Sequence, residues 1–155
     1  MTIWIVEDEH LAAKQAAEVT CEVFGNTNTS IDIYWDQAIL WESLLSAPPP
    51  AEYEPKNLKR DCPPTIVILD LLDGADEFRA ESYLRQLRKS EADWGLPRSW
   101  VILWSVYTGR DQAQEFISKA PERDRRVVFS GSKQPELLRS DLEHCRRAWA
   151  EAQYP

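Results

Sequence analysis

Histidine and cysteine are scarce in this chain of 155 residues, and acidic residues outnumber basic ones. The two histidines disfavour a histidine-rich metal site, and the three cysteines (Cys21, Cys62 and Cys145) disfavour a disulfide framework. An odd number of widely spaced cysteines is typical of reduced thiols and predicts a cytoplasmic location. The net charge of −8 argues against direct binding of nucleic acid, because affinity for phosphates comes mainly from lysine and arginine.

Long hydrophobic runs are also missing. No apolar stretch approaches the roughly 20 residues that cross a bilayer, so no membrane partner is expected. The short apolar start is followed directly by Glu7, Asp8 and Glu9, which is not the pattern of a signal peptide, and Glu9 is predicted to be solvated. With 43% hydrophobic and 28% charged residues, the composition is globular, and the length indicates one domain over residues 1–155.

Two apolar segments that end in acids dominate the remaining pattern. Residues 65–69 run without a break into Asp70, and residues 2–6 run into Glu7 and Asp8. Such runs are typical of strands that are covered by helices on both faces of a parallel sheet. Further strands are predicted at residues 31–35, 100–105 and 126–130, and helices at 11–24, 36–45, 76–89, 109–119 and 134–152. This alternation predicts a doubly wound α/β fold with a five-stranded parallel sheet.

A proline-rich segment at about residues 47–64 interrupts the alternation. It holds six of the ten prolines and shows no hydrophobic periodicity, so it predicts an extended surface loop. An inert insertion is the simpler interpretation. The alternative is a docking segment, because the proline run and Tyr53 are compatible with a polyproline helix that binds a partner.

Chemically useful side chains follow four of the predicted strands. They are Glu7 and Asp8, Asp70, Ser105, and Lys133. Open α/β sheets bind their ligands at the carboxyl ends of the strands. Three carboxylates that lie close together repel one another, and Mg²⁺ relieves this repulsion through the oxygen ligands it prefers. A carboxylate beside such an ion can attack a phosphoryl group, while a lysine and a hydroxyl hold the phosphoryl oxygens.

The same residues carry a resemblance to a known family. The segments IVEDE, VILD, WSVY and SKQP follow the predicted strands in the order seen in the receiver domain of bacterial two-component response regulators. The chain resembles a receiver domain over nearly its whole length, apart from the proline-rich loop. The resemblance implies a flavodoxin-like (β/α)5 fold with strand order 2-1-3-4-5.

The resemblance also implies a role for each candidate residue. Asp70 is expected to be the phosphoacceptor, with the phosphohistidine of a sensor kinase or a phosphotransfer protein as the donor. Lys133 is expected to pair with the phosphate, and Ser105 is expected to turn its hydroxyl toward it. The implied Mg²⁺ ligands are Glu7, Asp8, Asp70 and the backbone carbonyl of Leu72.

The implied output is a contact with another protein. The face from the fourth strand to the fifth helix is the one that the family commonly uses for downstream targets and for homodimers. No DNA-binding region follows the last predicted helix, so a stand-alone receiver is expected, and a truncated regulator is equally compatible. The protein is not expected to be an enzyme, beyond phosphorylation and dephosphorylation of its own Asp70.

Several positions differ from the family pattern and support an alternative. Val106 stands where a small residue is usual, Ser130 replaces an aromatic residue, and Gln134 separates Lys133 from the next proline. A cis bond after Lys133 would cost about 3 kcal/mol, so a trans bond or a rearranged loop is expected. The alternative function is a pseudo-receiver, a binding module that phosphate does not switch. A phosphohydrolase is a weaker alternative, because Leu72 stands where such enzymes usually carry a second acid.

Overall fold

The structure is a computed structural model that describes residues 1–25, 28–34, 63–73, 77–78, 80–106, 111–130 and 132–153. Three predictions lie wholly or largely outside these residues: the helix at 36–45, the proline-rich loop at about 47–64, and the docking role of Tyr53. Within the described part of the chain, no helix is long and apolar enough to cross a membrane.

A parallel sheet forms the centre of the described structure. In chain order the strands are β1 (Thr2–Val6), β2 (Ser30–Tyr34), β3 (Ile66–Leu69), β4 (Leu72–Asp73), β5 (Glu77–Phe78), β6 (Trp100–Leu103) and β7 (Val127–Phe129). Five of them form one sheet in the order β2-β1-β3-β6-β7, and all its neighbouring pairs are parallel. When only these five are counted along the chain, the order is 2-1-3-4-5, which confirms the predicted flavodoxin-like fold.

Helices cover both faces of this sheet. They are α1 (His10–Phe24), α2 (Ala80–Asp93), α3 (Asp111–Arg123) and α4 (Pro135–Gln153). Side chains alternate along a strand, so Ile3 and Ile5 pack in one buried cluster with α1 and α4, whereas Trp4 and Val6 pack in a second cluster with α2 and α3. Both faces of the central strands are therefore buried, which explains the unbroken apolar runs in the sequence.

The helix boundaries follow local signals that the sequence contains. Helix α4 begins at Pro135, one residue after its predicted start at Gln134, and the missing N–H of proline costs nothing in the first turn. Helix α2 runs to Asp93, beyond its predicted end at Lys89. It closes in a Schellman motif, in which the N–H of Gly95 (φ +63°) donates to Ala92 O and the N–H of Leu96 donates to Glu91 O.

A short hairpin after β3 is the main difference from the predicted fold. Strands β4 and β5 pair in antiparallel fashion, with Leu72 opposite Phe78, and α2 begins at Ala80 rather than at Asp76. The prediction of a helix from Asp76 was wrong because Phe78 fits the helical spacing of the apolar residues that follow. A β-preferring aromatic residue four positions after the Asp73-Gly74 dipeptide is also compatible with a hairpin, and the observed strand pairing decides between the two.

Candidate functional site

The predicted acids meet at the carboxyl ends of β1 and β3. The backbone N–H of Asp70 donates a 3.0 Å hydrogen bond to the carbonyl of Val6, which places Asp70 beside the end of the neighbouring strand. Carboxylate oxygens of Glu7, Asp8 and Asp70 lie within 4.8 Å of one another. The structure therefore brings together the three acids that sequence analysis selected, because neighbouring parallel strands end at the same edge of the sheet.

Lys133 places its ammonium between two of these carboxylates. Its Nζ lies 2.9 Å from Glu7 Oε1, 2.8 Å from Glu7 Oε2 and 2.9 Å from Asp70 Oδ2. The lysine side chain is only 12% exposed. Contacts of this length between charged groups are among the stronger hydrogen bonds in proteins. Lys133 is therefore part of the acidic cluster, although it is 126 residues from Glu7 in the sequence.

Two tight turns carry the chain from β7 to this position. The N–H of Ser132 donates to Ser130 O, and the N–H of Gln134 donates to Ser132 O, each at 2.8 Å. Helix α4 then starts with a hydrogen bond from Leu138 N–H to Gln134 O. No cis peptide bond is present in the described residues, so the bond after Lys133 is trans, as predicted.

Burial makes the negative charge of this cluster costly. Glu7 is 1% exposed, and burial together with the nearby Asp70 raises the pKa of Glu7 to about 7, although Lys133 and the N–H of Glu9 act in the opposite direction. Burial also opposes the charge of Lys133, but the carboxylates of Asp70 and Glu7 outweigh it and raise the lysine pKa. One ammonium therefore does not compensate the carboxylates fully.

The cluster fits a divalent cation by its chemistry. Carboxylate oxygens are the ligands that Mg²⁺ and Mn²⁺ prefer in proteins. Glu7, Asp8 and Asp70 supply three of them against the single positive charge of Lys133, so a divalent cation would neutralise the excess. Asp8 is only half-buried, which leaves one side of the cluster accessible from solvent.

Two other predicted residues lie near this edge with less defined contacts. Ser105 is 2% exposed and follows β6, the strand next to β3, and its hydroxyl lies 3.4 Å from the carbonyl of Val106. Leu72 lies in the hairpin strand β4, two residues after Asp70. The role of Ser105 at the phosphate and the metal-ligand role of the Leu72 carbonyl stay predictions.

Glu9 is the residue that sequence analysis did not assign to the site. It is exposed, as predicted, but its Oε2 lies 3.6 Å from Lys133 Nζ, and its backbone N–H donates a 3.1 Å hydrogen bond to Glu7 Oε1. It also lines a groove of about 470 Å³ with Val106, Lys133 and the first turns of α1. Val106, which stands where the family usually has a small residue, is 59% exposed at this groove. The acidic run after β1 was the only local signal for Glu9, because its partner lies far away in the chain.

No protein-family profile and no curated protein matches this sequence. Among solved structures, the signal receiver domain of a DNA-binding response regulator (merR) from Colwellia psychrerythraea 34H is 15% identical. It superposes with a TM-score of 0.59 and covers 95% of this chain and 98% of its own. The fold is that of receiver domains.

Two further solved structures show the same fold. A response regulator receiver domain from Rhodospirillum rubrum is 15% identical, with a TM-score of 0.58 over 97% of this chain and 94% of that one. The Mn²⁺-bound form of the response regulator Rcp1 is 17% identical, with a TM-score of 0.54 over 96% and 93% of the two chains. At this level of identity the likeness establishes the receiver fold alone.

Proposed function

We propose that this chain is a signalling receiver in which Asp70 accepts a phosphoryl group with the help of Mg²⁺. The observation that carries the proposal is the contact set of Lys133, whose ammonium lies within 2.9 Å of both Glu7 and Asp70, with Asp8 in the same cluster. A lysine and paired acids around one buried aspartate are the groups that phosphoryl transfer to a carboxylate requires.

The transfer uses the groups at the sheet edge in a defined way. An oxygen of Asp70 attacks phosphorus in a phosphohistidine, the O–P bond forms as the N–P bond breaks, and the imidazole keeps the electron pair. Glu7, Asp8 and Asp70 would hold Mg²⁺, with the Leu72 carbonyl as a further ligand, and the ion would supply positive charge to the phosphoryl oxygens. Lys133, already in contact with Asp70, stays to hold a phosphoryl oxygen, and Ser105 supplies a hydroxyl to another.

The partners follow from this chemistry. The donor is a sensor histidine kinase or a phosphotransfer protein, and the output is a downstream protein or a second copy of this chain. We assign the contact with this output protein to the surface formed by β6, α3, β7 and α4. Ser105 follows β6, and Lys133 precedes α4, so both site residues adjoin this surface. The proposal includes no turnover of an external substrate, only the slow hydrolysis of the phosphoaspartate. The cytoplasmic location predicted from the cysteines is part of the same proposal.

Labelling with a small phosphodonor tests the assignment. The wild-type protein is incubated with acetyl phosphate and Mg²⁺, and phosphoryl incorporation is measured by intact-mass spectrometry, with and without a chelator. We expect incorporation that requires the metal and is lost in Asp70→Asn. The matched control is Asp93→Asn, at the exposed end of α2, which is expected to label like the wild type.

A pseudo-receiver is the second candidate, and one observation favours it. In the structure the ammonium of Lys133 pairs with both Glu7 and Asp70, an arrangement that a purely structural ion pair would also show. Absence of labelling in the wild type, or equal labelling in Asp70→Asn, would count against the signalling receiver and in favour of a binding module that phosphate does not switch.

A further inference from the structure

Lys133 contacts the same carboxylates that a divalent cation would take. Its Nζ lies 2.8 to 2.9 Å from oxygens of Glu7 and Asp70, both of which are buried. When one of these oxygens turns toward a divalent cation, the ammonium must share that oxygen with the cation or lose its contact with it. The lysine side chain is 12% exposed, so bulk water solvates its ammonium only in part. The ammonium therefore needs another anion close by.

Glu9 is placed to be that anion. Its Oε2 lies 3.6 Å from Lys133 Nζ, farther than the contacts to Glu7 and Asp70. Its side chain is 62% exposed, and it lines the same groove as Lys133. Glu9 is not one of the three acids whose oxygens lie within 4.8 Å of one another. It can therefore contact the lysine without being a ligand of the cation.

The backbone of Glu9 holds this position relative to the cluster. Its N–H donates a 3.1 Å hydrogen bond to Glu7 Oε1, so the residue is anchored to the carboxylate from which the ammonium would move. A shift of Lys133 toward Glu9 requires a displacement of less than one ångström from its present 3.6 Å to an ordinary charge-assisted hydrogen bond. The alternative partner is thus close at hand.

We infer that Glu9 is a positioning residue, which receives the ammonium of Lys133 when a divalent cation takes the carboxylates of Glu7 and Asp70. The exchange keeps Lys133 at the site, near the aspartate that is to carry the phosphoryl group, instead of releasing it. No covalent bond between heavy atoms forms or breaks in this exchange. This inference rests on the proposed function, because it concerns the cation that the proposed function requires.

Binding of Mn²⁺, followed by the electron paramagnetic resonance signal of the free ion, tests the inference on the full chain. Glu9→Gln is expected to weaken Mn²⁺ binding about ten-fold, since the displaced ammonium loses a charge-assisted contact. Glu9→Asp is expected to restore the affinity to within about two-fold of the wild type. The control is Glu18→Gln, a carboxylate that lines the same groove, is similarly exposed, and pairs with Lys14 instead of Lys133.

Loss of a negative charge near the site could weaken Mn²⁺ binding even without a contact between Glu9 and Lys133. Chemical labelling of Lys133 tests that contact directly. Acetylation of Lys133 by acetic anhydride is measured by mass spectrometry in saturating Mn²⁺, with the exposed Lys89 as internal reference. We expect Lys133 to stay protected in the wild type and in Glu18→Gln, and to become several-fold more reactive in Glu9→Gln.

The outcomes separate this inference from the proposed function. Equal loss of Mn²⁺ affinity in Glu9→Gln and Glu18→Gln, or unchanged protection of Lys133 in Glu9→Gln, would overturn the role of Glu9 and leave the metal site intact. Failure of the wild type to bind Mn²⁺ would overturn the metal site, and the role of Glu9 with it.

Discussion

Two buried ionic clusters lie at opposite ends of the sheet, and they differ in charge balance. The acidic cluster at the carboxyl ends of the strands combines Glu7, Asp8 and Asp70 with Lys133. The second cluster, which we call the arginine cluster, lies at the amino-terminal ends of β6 and β7. It consists of Arg88, Glu91, Arg98, Ser99 and Asp124.

The arginine cluster is balanced and densely hydrogen-bonded. The guanidinium of Arg88 contacts Asp124 Oδ2 at 2.7 Å and Glu91 Oε2 at 2.8 Å, with all three side chains largely buried. Ser99 donates to Glu91 from both its N–H and its hydroxyl, and Arg98 contacts Asp124 at 3.7 Å from the surface. Two positive groups thus face two negative ones.

The carboxylates of the two clusters respond to burial in opposite ways. Burial opposes the charge of Asp124, but the N–H of Arg126 and the guanidinium of Arg88 outweigh it and lower the pKa of Asp124. In the acidic cluster, burial and repulsion prevail and raise the pKa of Glu7 to about 7. Each buried carboxylate of the arginine cluster has a counter-ion, whereas the carboxylates of the acidic cluster outnumber its single ammonium, an arrangement compatible with a divalent cation.

Removing Arg88 is expected to have the largest effect on stability. Arg88→Met would leave Glu91 and Asp124 buried without their main counter-ion, so we expect a loss of about 3 to 5 kcal/mol in the free energy of unfolding. Urea denaturation at pH 7 measures this. Arg85→Met, which breaks an exposed pair with Glu81, is the control and should cost about 0.5 kcal/mol. A similarly small loss of unfolding free energy in both variants would contradict the expected difference between the buried contacts of Arg88 and the exposed pair of Arg85.

Replacing Glu7 is expected to change the dependence of stability on pH. The pKa of Glu7 is raised in the fold from 4.5 to about 7, so the folded state binds the proton more tightly than the unfolded chain does. Stability is therefore lost as the pH rises from about 4.5 to 7, by about 2 to 3 kcal/mol in total. In Glu7→Gln this loss should be absent. Urea denaturation at pH 5 and pH 8 in a chelating buffer compares the two proteins, and parallel profiles would contradict the expectation.

Replacing Asp124 should give the opposite dependence. Because the pKa of Asp124 is lowered in the fold, its stabilising effect is present above the unfolded value and is lost as the pH falls through the folded value. Asp124→Asn is expected to lose about 2 kcal/mol at pH 7. The difference from the wild type should shrink as the pH is lowered below about 4. If the difference instead grew in acid, the assignment of Asp124 as a stabilising anion would be wrong.

Addition of Mg²⁺ should have the smallest effect and should act on one cluster only. At ten times its dissociation constant, Mg²⁺ is expected to stabilise the wild type by about 1.4 kcal/mol, which corresponds to a rise of about 3 to 5 °C in Tm. Thermal unfolding followed by circular dichroism detects this. The rise should vanish in Asp8→Asn and persist in Arg85→Met. Persistence of the full rise in Asp8→Asn would place the cation elsewhere.

The fold was predictable because its signals are local. The unbroken apolar segments after Thr2 and Thr65 predict strands buried on both faces, and the alternation with helices limits the topology to a few doubly wound arrangements. The hairpin at Leu72 and Phe78 was not predictable in this way. Phe78 satisfies both a helical and a strand pattern, and only its antiparallel partner resolves the ambiguity.

The site was predictable only in part, because some of its contacts depend on local signals and others on residues that are distant in the chain. The positions of Glu7, Asp8 and Asp70 follow from where two neighbouring strands end. The contact between Lys133 and Glu9 does not follow from any local pattern, since the two residues are far apart in the chain. This contact depends on the two tight turns after β7, which set the position of Lys133.

The amino-acid sequence by itself determined which carboxylates reach the edge of the sheet, because hydrophobic patterning sets where strands begin and end. It also determined the excess of negative charge there. Only the tertiary structure decided that the ammonium of Lys133 lies between Glu7 and Asp70 and that the carboxylate of Glu9 lies 3.6 Å from it. Such contacts join residues from opposite ends of the chain, so their geometry exists only once the packed helices and turns have brought those ends together.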